Sequence, residues 1–347
     1  MASVLLLFGG RSSEHEVSCE SARSVHDALV GAGHRVIPVG IDRDGRWHLV
    51  DASHRPLRAE GRPVSLRVPE GVLAVADERI GFDVVFPVLH GPMGEDGTVQ
   101  GLFDICDAPY VGCDVRASAV CMDKDLTKRL VAGEGIATPR WRTVTRRMWD
   151  EDPGGTIDAI ASALPFPMFV KPSAQGSSVG ISKVSDADSL SAGILLALRY
   201  DSKVVVEEAI VGREIEVAVL DGPRASLPGE ILLEADWYTY DAKYADDSSE
   251  CVAPAGLPDD QTLEVRSIAE AVFSLLGLSG LARIDFFLDA TTGKFLFNEA
   301  NTMPGFTSIS GFPKMWLASG LTYEGLCSHL IDAAIEAHAQ RSTLAIR

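Results

Sequence analysis

A pair of apolar and aromatic runs near the end of the chain constrains the fold most, because they flank the turn-like cluster Thr291-Thr292-Gly293 and predict a β-hairpin. Side chains alternate between faces along a strand, so Arg283 and Asp285 share one face, and Glu299 and Asn301 share one face. In a hairpin symmetric about Thr292, Asp285 lies opposite Glu299 and Arg283 lies opposite Asn301. The hairpin would therefore cluster two carboxylates, an amide and a guanidinium.

The charge pattern of this hairpin has two interpretations. Carboxylates that lie opposite each other on neighbouring strands are destabilising, and a bound cation would remove the conflict. Two carboxylates and an amide oxygen are hard ligands that suit Mg²⁺, which commonly binds through one or two carboxylates plus substrate phosphates. The alternative is a surface hairpin with scattered charges, and the hairpin alone does not decide between them.

The composition is that of an ordinary globular chain long enough for two or three domains, with 347 residues, 46% hydrophobic and 23% charged. A net charge of −18 argues against nucleic acid or an anionic membrane as a partner, but not against a local basic site for phosphate. The six cysteines form no CxxC pair, which favours reduced, mostly structural thiols. The first ten residues lack the basic start of a signal peptide, and no apolar run reaches the roughly 18 residues of a membrane span. We expect a cytoplasmic protein.

The first third of the chain has the pattern of a parallel α/β unit. An apolar strand at Val4–Phe8 is followed by Gly9-Gly10 and by a helical pattern over Ser21–Leu29. Further strands are predicted at Arg35–Ile41 and Asp83–Leu89, and residues 56–78 are less regular, as in an insertion. Because α/β folds bind ligands at the carboxyl ends of parallel strands, the loops that begin at Gly9 and His90 are candidate ligand loops.

From about Ala117 the pattern changes to a small α+β unit and then to a second set of strands and helices. The helix expected near 260–276 has apolar residues at three- and four-residue spacing, with Asp259 as its cap and Gly277 as its stop. The other predicted helices are Lys124–Val131, Ala187–Leu198 and Tyr323–Gln340, and the other predicted strands are Phe166–Lys171, Ile181–Val184, Lys203–Glu207, Glu214–Leu220 and Glu230–Leu233.

The segment Gln175-Gly-Ser-Ser-Val-Gly180 has three interpretations. Small residues let backbone N–H groups approach a phosphate closely, and the hydroxyls of Ser177 and Ser178 add donors, which favours a phosphate loop. A plain flexible turn is the second interpretation. The third is the nucleophile elbow of a serine hydrolase, which requires a helix directly after the serine, whereas a strand is predicted here.

Several charged side chains have both a functional and a structural interpretation. Lys124 and Lys171 both stand among apolar or small neighbours. Lys171 ends a strand before the glycine loop, so it either meets phosphate oxygens or extends from the strand edge to solvent. Glu207 and Glu208 close a strand. They either belong to a segment whose donors and acceptors hold an adenine edge or are simply solvated at the strand end.

Two ligand loops and an acidic segment carry further candidates. Glu14 either pairs with a substrate ammonium or is a first-turn helix acid, and His90 either orients a substrate or caps a strand. Residues 234–250 carry six acidic side chains and a single lysine, Lys243, so they form either a lid or a mobile acidic loop.

Taken together, these residues resemble the D-alanine–D-alanine ligases of the ATP-grasp superfamily over nearly the whole chain. Six motifs carry the resemblance in the right order: Phe8-Gly-Gly-Arg-Ser-Ser-Glu-His-Glu-Val-Ser18, His90-Gly-Pro-Met-Gly-Glu-Asp-Gly97 with Gln100-Gly101, Gly176-Ser-Ser-Val-Gly180, Tyr240-Asp-Ala-Lys-Tyr244, Arg283-Ile-Asp285 and Asn298-Glu-Ala-Asn-Thr-Met-Pro-Gly305.

The resemblance implies an α/β protein with the three-domain ATP-grasp fold, whose N-terminal domain is a parallel α/β unit. The implied domains are residues 1–116, which bind substrate, and the central and C-terminal ATP-grasp subdomains at 117–208 and 209–347, with the lid at 234–250. The family also implies a homodimer, with two molecules of D-alanine and ATP as its small-molecule partners.

The resemblance also assigns roles to residues. ATP contacts are implied for Lys124, Lys171, Ser178, Glu207, Glu208, Ile210, Glu214 and Lys243, and two Mg²⁺ (or Mn²⁺) ions are implied on Asp285, Glu299 and Asn301. Glu14 would hold the ammonium of the first D-alanine in a hydrogen-bonded link with Ser177 and Tyr244, while His90 and Ser310 would bind substrate. Arg283 and the backbone N–H of Gly305 would stabilise the oxyanion when an acyl phosphate, made from ATP and the first D-alanine, is attacked by the second.

One departure from the family pattern concerns the second substrate. Gly311 follows Ser310 where the family usually has a larger side chain, so D-serine is an alternative acceptor. D-Lactate-using relatives carry a histidine in the lid, and residues 234–250 contain none, which favours D-alanine. The alternatives from other classes are another ATP-grasp carboxylate–amine ligase, a non-catalytic nucleotide-binding protein and a serine hydrolase.

Overall fold

The first sheet of the computed structural model, which describes residues 1–53, 57–68, 70–233 and 249–344, is parallel around its central strand. Strand β1 (Ser3–Gly9) pairs in parallel with β2 (Arg35–Ile41) and with β8 (Val84–Val88). Residues Val4 to Phe8 are fully buried, which is why this strand has a continuous apolar run in place of an alternating one. Strands β3 (Trp47–Leu49) and β4 (Arg62–Pro63) extend the sheet in the order β4-β3-β2-β1-β8.

The irregular segment predicted near residues 56–78 forms short strands. Strands β5 (Ser65–Arg67), β6 (Val72–Val75) and β7 (Glu78–Ile80) make a separate three-stranded sheet in the order β5-β6-β7. This small sheet packs Leu73 and Val75 into the core on the side of the parallel sheet that also buries Leu5 and Leu7.

Helix α1 (His15–Gly31) begins six residues before the predicted start at Ser21. Its first two turns bury Ser18 and Ser21, polar side chains that do not extend the apolar spacing used to predict helices. Both hydroxyls face inward and hydrogen bond to other segments, so the helix face they form is buried although it is not apolar.

The middle of the chain forms an antiparallel sheet of four strands in the order β11-β10-β12-β9. Its strands are β9 (Trp141–Thr145), β10 (Met168–Pro172), β11 (Ser182–Val184) and β12 (Lys203–Glu208). The helices α5 (Arg146–Glu151), α6 (Pro153–Ala163) and α7 (Ala187–Ala197) pack on this sheet. Of the three helices that precede it, α2 (Thr98–Ile105) packs in the core of the first sheet, and α3 (Val115–Met122) and α4 (Lys124–Gly133) pack in the core of the last sheet.

The last sheet carries the predicted hairpin. Its path is β16-β15-β13-β17-β18, with β14 paired to β13. The strands are β13 (Gly212–Leu220), β14 (Arg224–Ala225), β15 (Gly229–Leu233), β16 (Ser249–Val252), β17 (Leu281–Asp289) and β18 (Phe295–Asn301), and the helices are α8 (Asp259–Leu275), α9 (Gly311–Ala318) and α10 (Tyr323–Ser342).

The ends of helix α8 test two predictions. Asp259 is the first helical residue and not the cap, which is Pro258 and makes no side-chain hydrogen bond, so that prediction was wrong. A negative charge in the first turn suits the helix dipole, which explains the acidic start without a capping bond. Gly277 follows the helix with φ +64°, and its predicted role as the stop is confirmed.

A shared hydrophobic core joins the first sheet to the end of the chain. Residues of β1, α1 and β8 pack with those of α9 and α10, and Phe306 lies between Phe86 and Phe312 at ring-centroid distances of 5.7 and 5.5 Å. The loop that connects β18 to α9 is thereby anchored to the N-terminal sheet. None of the helices in the described ranges has the length and apolar character needed to cross a membrane. The domain divisions at 116/117 and 208/209 stay predictions.

Candidate active site

A cleft of about 1210 Å³ brings together side chains from all three large sheets. Every candidate residue within the described ranges contributes to its lining except Asp285, which lies beneath it. The lining candidates are Glu14, His90, Lys124, Lys171, Ser177, Ser178, Glu207, Glu208, Ile210, Glu214, Arg283, Glu299, Asn301, Gly305 and Ser310. Lys243 and Tyr244, with the predicted lid apart from its last two residues, fall outside the described residues.

The predicted hairpin pairing is confirmed. Asp285 lies opposite Glu299 and Arg283 lies opposite Asn301. Nearer the turn, however, Phe286 pairs with Phe297, so Asn298 is an extra residue in β18 and forms a β-bulge. The bulge turns neighbouring side chains to the same side, since Asn298 and Glu299 both line the cleft.

The bulge residues meet two lysines that come from the other half of the cleft. The amide Oδ1 of Asn298 lies 3.5 Å from Nζ of Lys171, and Oε2 of Glu299 lies 3.4 Å from Nζ of Lys124. Lys124 also donates to the carbonyl oxygen of Gln175 at 2.8 Å, which connects the hairpin to the glycine loop.

Carboxylates form a row across three adjacent strands at the base of the cleft. Glu216 on β13 lies opposite Asp285, which in turn lies opposite Glu299. Arg283 bridges this row, because its Nε and Nη2 donate to the two oxygens of Asp285 at 2.8 and 2.7 Å and its Nε lies 3.2 Å from Oε1 of Glu216. Burial would lower the pKa of Arg283, but the surrounding carboxylates raise it well above the usual value, so the guanidinium is charged.

The donor set of this row fits a hard divalent cation. Asp285, Glu299 and Asn301 supply two carboxylates and an amide carbonyl, the ligand types that Mg²⁺ prefers. Within the described residues no three His, Cys, Asp or Glu side chains converge at metal-binding distance. Asp285 is held by Arg283 and by Nδ2 of Asn301 at 2.9 Å, so this side chain has to exchange partners for a metal.

A buried ion triad forms the other end of the cleft. Lys171 donates to Oε2 of Glu207 at 2.7 Å, and Nζ of Lys128 lies 3.1 Å from Oε1 of the same carboxylate. Burial would raise the pKa of Glu207, but the two ammonium groups overcome it and lower the value to about 2. The carboxyl group is therefore ionised, and it fixes the position of Lys171.

Glu208 differs from its neighbour because it points away from the triad. Arg140 binds its carboxylate through Nη2 and Nε at 2.7 and 2.8 Å, and the Arg140 backbone N–H donates to it at 2.8 Å. The side chain of Glu208 therefore has a structural partner. The contact of Glu208 with ATP stays a prediction.

The glycine loop encloses Glu14. The Ser177 hydroxyl donates to Oε1 of Glu14. A Cβ on Gly176 would come within 2.9 Å of Oε2 of this carboxylate, and one on Gly91 within 2.5 Å, so both positions require glycine. Ser177 and Ser178 adopt φ angles of +47° and +58°, an unfavourable conformation for residues with a side chain.

Strand β11, and not a helix, follows the glycine loop. The backbone therefore lacks the turn into a helix that a hydrolase nucleophile elbow needs at Ser178. This geometry favours the phosphate-loop interpretation of the segment.

His90 is buried and uses both ring nitrogens within the protein. Its Nδ1 lies 3.0 Å from the Met303 carbonyl oxygen, and its Nε2 lies 3.2 Å from the Ser21 hydroxyl. Both ring nitrogens therefore have partners within the protein, and the contact of His90 with substrate stays a prediction. Glu95, in the same loop, has its pKa raised well above the usual value by burial and by Glu14.

Ser310 lies at the start of α9, where its hydroxyl accepts from the backbone N–H of Thr307 at 3.1 Å. The contacts of the next residue, Gly311, account for its lack of a side chain. A Cβ there would come 2.6 Å from Oε2 of Glu216 and 3.2 Å from Sγ of Cys251. The carboxylate of Glu216 occupies the space that a larger residue at position 311 would fill.

The sequence interpretation missed several residues that line the cleft or support it from behind. Lys128 lies one helical turn after Lys124, and this spacing is the signal that could have identified it. Glu216 shares its strand face with Glu214, but alternation alone gave no partner for it. Ser21 and the Asn298 bulge had no signal, because both depend on contacts with distant segments.

Two family models and a set of similar proteins match the chain. The "D-ala D-ala ligase N-terminus" model matches residues 3–113, and the "D-ala D-ala ligase C-terminus" model matches residues 130–332. D-alanine–D-alanine ligase A of Bradyrhizobium diazoefficiens is 47% identical over 98% of this chain and 97% of its own length, and that of Escherichia coli K12 is 43% identical over the same shares.

Solved structures agree with these matches. The D-alanine–D-alanine ligase from Coxiella burnetii superimposes with a TM-score of 0.87 at 36% identity, covering 98% of this chain and 95% of that one. The D-Ala:D-Ser ligase from Enterococcus faecalis superimposes with a TM-score of 0.85 at 36% identity, covering 96% of this chain and 99% of that one. The predicted fold class, an α/β protein with the three-domain ATP-grasp fold, is confirmed. The chain belongs to the D-alanine–D-alanine ligase family.

Proposed function

We propose that this protein is an ATP-dependent ligase that joins two molecules of D-alanine into D-alanyl-D-alanine for peptidoglycan precursor synthesis, releasing ADP and phosphate. The observation that carries the proposal is the meeting of two groups in one cleft. Arg283 and the carboxylate row face the same space as Glu14, which Ser177 holds from the glycine loop. A nucleotide-binding protein without catalysis has no use for a buried guanidinium placed beside an ammonium-binding carboxylate.

ATP binds, in this proposal, between the middle and last sheets. Lys171, fixed by Glu207, and Lys124 bring positive charge to the phosphates. The main chain around Glu208 and Ile210 faces the base, and Glu214 faces the ribose end of the cleft. Ser178 and the backbone N–H groups of the glycine loop donate to phosphate oxygens.

Asp285, Glu299 and Asn301 would hold Mg²⁺ or Mn²⁺, with two ions per site. A bound divalent ion supplies charge stabilisation for the phosphoryl group during transfer. The contribution of this chain is to preset the oxygen donors, because strand pairing places Asp285 opposite Glu299 before any ligand arrives. Until then each carboxylate is paired with a cation, Asp285 with Arg283 and Glu299 with Lys124.

The first D-alanine binds with its ammonium on Glu14. Its carboxylate attacks the γ-phosphorus, the bond from phosphorus to the bridging oxygen of ADP breaks, and an acyl phosphate forms. This step turns a poor acyl donor into a good one. Tyr244 and Lys243 belong to the proposed lid, whose closure keeps water from the acyl phosphate.

The second D-alanine is oriented by Ser310 and attacks with its neutral amine. The nitrogen bonds to the acyl carbon, the nitrogen loses a proton, and phosphate leaves with the electrons of the C–O bond. The negative charge on the tetrahedral oxygen is stabilised by Arg283 and by the backbone N–H of Gly305. Positive and dipolar groups placed where charge develops favour this transition state over the ground state.

D-Alanine–D-serine ligation is the second candidate, and one observation favours it. Gly311 leaves space that Oε2 of Glu216 occupies, beside the residue assigned to the second substrate. A carboxylate oxygen there accepts a hydrogen bond from the hydroxyl of D-serine, which D-alanine cannot supply. The D-Ala:D-Ser ligase from Enterococcus faecalis is also among the similar structures.

Product analysis separates these candidates. The purified protein is incubated with ATP, Mg²⁺ and an equimolar mixture of D-alanine, D-serine and D-lactate, and products are identified by mass spectrometry. We expect D-alanyl-D-alanine as the main product, with one ADP for each dipeptide. ADP release with other carboxylic acids but not with D-alanine would contradict the proposal and favour another carboxylate–amine ligase.

Two further features are proposed from the family resemblance, a homodimer and a cytoplasmic location. Light scattering after size exclusion tests the first. Fractionation of cells that express the protein tests the second.

A further inference from the structure

A buried serine connects the first helix to the backbone beside Gly305. Ser21 is fully buried in α1 and does not line the cleft, yet its hydroxyl accepts from the backbone N–H of Phe306 at 3.2 Å. The same oxygen lies 3.2 Å from Nε2 of His90, whose Nδ1 lies 3.0 Å from the carbonyl oxygen of Met303. These contacts hold the peptide groups on both sides of Pro304 and Gly305.

The direction of each hydrogen bond follows from the groups involved. A carbonyl oxygen accepts only, so Nδ1 of His90 carries the hydrogen that Met303 accepts. In the neutral imidazole Nε2 is then an acceptor, and the Ser21 hydroxyl donates to it. The remaining lone pairs of that hydroxyl accept the Phe306 N–H. Every polar atom in the chain of bonds is satisfied in one arrangement only.

A neutral imidazole is what this environment favours. Burial lowers the pKa of His90, and this effect outweighs the opposing influences of Glu14 and of the Met303 carbonyl. The charged groups that face the ring are Glu14 and Glu95, whose Oε1 lies 3.8 Å from Nδ1. The pKa of Glu95 is itself raised, so this carboxyl group gives little support to a cationic ring.

Pro304 and Gly305 cannot hold themselves in place. Proline has no N–H to donate, and glycine has no side chain to pack, so the segment depends on its neighbours. The Phe306 ring is packed between Phe86 and Phe312, which fixes its position. A packed ring still allows the preceding peptide to rotate, and the hydrogen bond from the Phe306 N–H to Ser21 restrains that rotation.

We propose that Ser21 is a positioning residue which, through His90, orients the Gly305 peptide so that its N–H points at the oxyanion of the second half-reaction. The inference rests on the proposed function and assigns a role to a residue that touches neither substrate nor nucleotide. Its effect is confined to the attack of the amine on the acyl phosphate. Phosphorylation of the first D-alanine is the earlier half-reaction, which forms the acyl phosphate, and it does not use the Gly305 N–H.

The two half-reactions allow the role to be tested. When the Gly305 N–H is misdirected, the amine attacks slowly and water competes for the acyl phosphate. The water oxygen bonds to the phosphorus, the bond from phosphorus to the acyl oxygen breaks, and D-alanine and phosphate are released without passing through the tetrahedral oxyanion, so ATP is consumed without dipeptide. The ratio of ADP to dipeptide therefore reports on the orientation of Gly305.

Ser21→Ala is compared with the matched control Ser118→Ala, which also removes a fully buried helix hydroxyl. Among the described residues, that hydroxyl donates to the Cys113 carbonyl oxygen, at 3.5 Å, and to no group of the cleft. For Ser21→Ala we expect dipeptide formation to fall about 10- to 100-fold, since small misplacements cost this much. The ADP-to-dipeptide ratio should rise above one, while ADP binding stays within about threefold of wild type. Ser118→Ala should keep a ratio of one.

A second variant keeps the proposal testable where Ser21→Ala fails to fold. His90→Phe preserves a ring and breaks the same chain of bonds, so it should also raise the ratio. Where Ser21→Ala does fold, a double-mutant cycle of Ser21→Ala and His90→Ala should be strongly non-additive because the two residues act as one unit.

The inference would be overturned if Ser21→Ala kept the wild-type ADP-to-dipeptide ratio and the wild-type rate of dipeptide formation. An equal loss of rate in both half-reactions would also overturn it. The proposed function has a separate failure, since a wild-type protein that makes no dipeptide from D-alanine would contradict that function before any variant is tested.

Discussion

Replacing Arg283 with alanine tests the centre of the proposed site. The guanidinium makes two hydrogen bonds of 2.8 and 2.7 Å to Asp285 and lies 3.2 Å from Glu216, and both carboxylates are only 8% exposed. As an oxyanion donor, Arg283 should contribute about 3 to 4 kcal/mol in the transition state, so kcat should fall about 100- to 1000-fold.

Stability should change as well, by a separate mechanism. Arg283→Ala leaves two buried carboxylates without their cation, and breaking a buried ion pair in this way costs about 3–5 kcal/mol of unfolding free energy. A divalent cation can replace the lost positive charge, so Mg²⁺ should recover part of this stability in the variant and less in wild type. The unfolding free energy of Arg283→Lys should lie between those of wild type and Arg283→Ala, because an ammonium group restores the charge but not the two parallel hydrogen bonds.

Turnover is measured as dipeptide formation at saturating D-alanine and ATP, and unfolding is measured by urea with and without Mg²⁺. The control is Arg129→Ala, which breaks an Arg–Asp pair on α4 with Nε 3.0 Å from both oxygens of Asp125, outside the cleft. We expect that control to keep its kcat. Near-normal turnover in Arg283→Ala would remove the oxyanion role, even if stability fell as expected.

Three other predictions concern neighbouring groups. Gly311→Leu should raise the KM for the second D-alanine and lower the unfolding free energy by about 1–3 kcal/mol, because its Cβ would come 2.6 Å from Oε2 of Glu216. Adding Glu216→Ala should restore part of the KM and part of the stability. A single variant with wild-type KM and stability would contradict the packing argument. Glu207 has a pKa of about 2 when folded against an ordinary 4.5, so its contribution is complete above pH 4.5 and is lost as the pH falls towards 2. Urea unfolding at pH 6 and pH 3 should therefore show wild type losing on the order of 2 kcal/mol more than Glu207→Gln, and parallel losses would argue against the buried triad. Finally, calorimetry should show ADP binding at least tenfold tighter with Mg²⁺, and Mg²⁺ equally tighter with ADP, whereas independent binding would exclude coupling between the lysines and the carboxylate row.

The hairpin shows both what sequence can predict and where it stops. Symmetry about Thr292 placed Asp285 opposite Glu299, as observed. Yet the pairs nearer the turn follow a different register. The bulge at Asn298 restores the predicted register at the end of the hairpin that carries Arg283 and Asp285. Alternation along a strand carries no information about an inserted residue, because the bulge is stabilised by contacts of Asn298 with Lys171 on another sheet.

Long-range polar contacts explain the other differences. Helix α1 buries Ser18 and Ser21, and apolar spacing does not recognise a helix face made of hydroxyls. His90 was assigned to substrate because a histidine after a buried strand is a plausible ligand group. The structure turns its two nitrogens to Ser21 and Met303, residues 69 and 213 positions away in the chain. Local patterns predict elements, whereas partners at such separations follow only from the fold.

Charge pairing in the cleft explains how an acidic protein can bind an anion. The chain has a net charge of −18, but the cations of the cleft are already matched, Lys124 with Glu299 and Arg283 with Asp285. A nucleotide alone would have to take Lys124 from Glu299 and leave that carboxylate near the phosphates, which is unfavourable. A metal alone would have to take Asp285 from Arg283. When both arrive together, carboxylates exchange cationic side chains for metal, and Lys124 exchanges a carboxylate for phosphate. Under the proposed function, the site would thus favour the metal–nucleotide complex over either component, because each ligand supplies the partner that the other displaces.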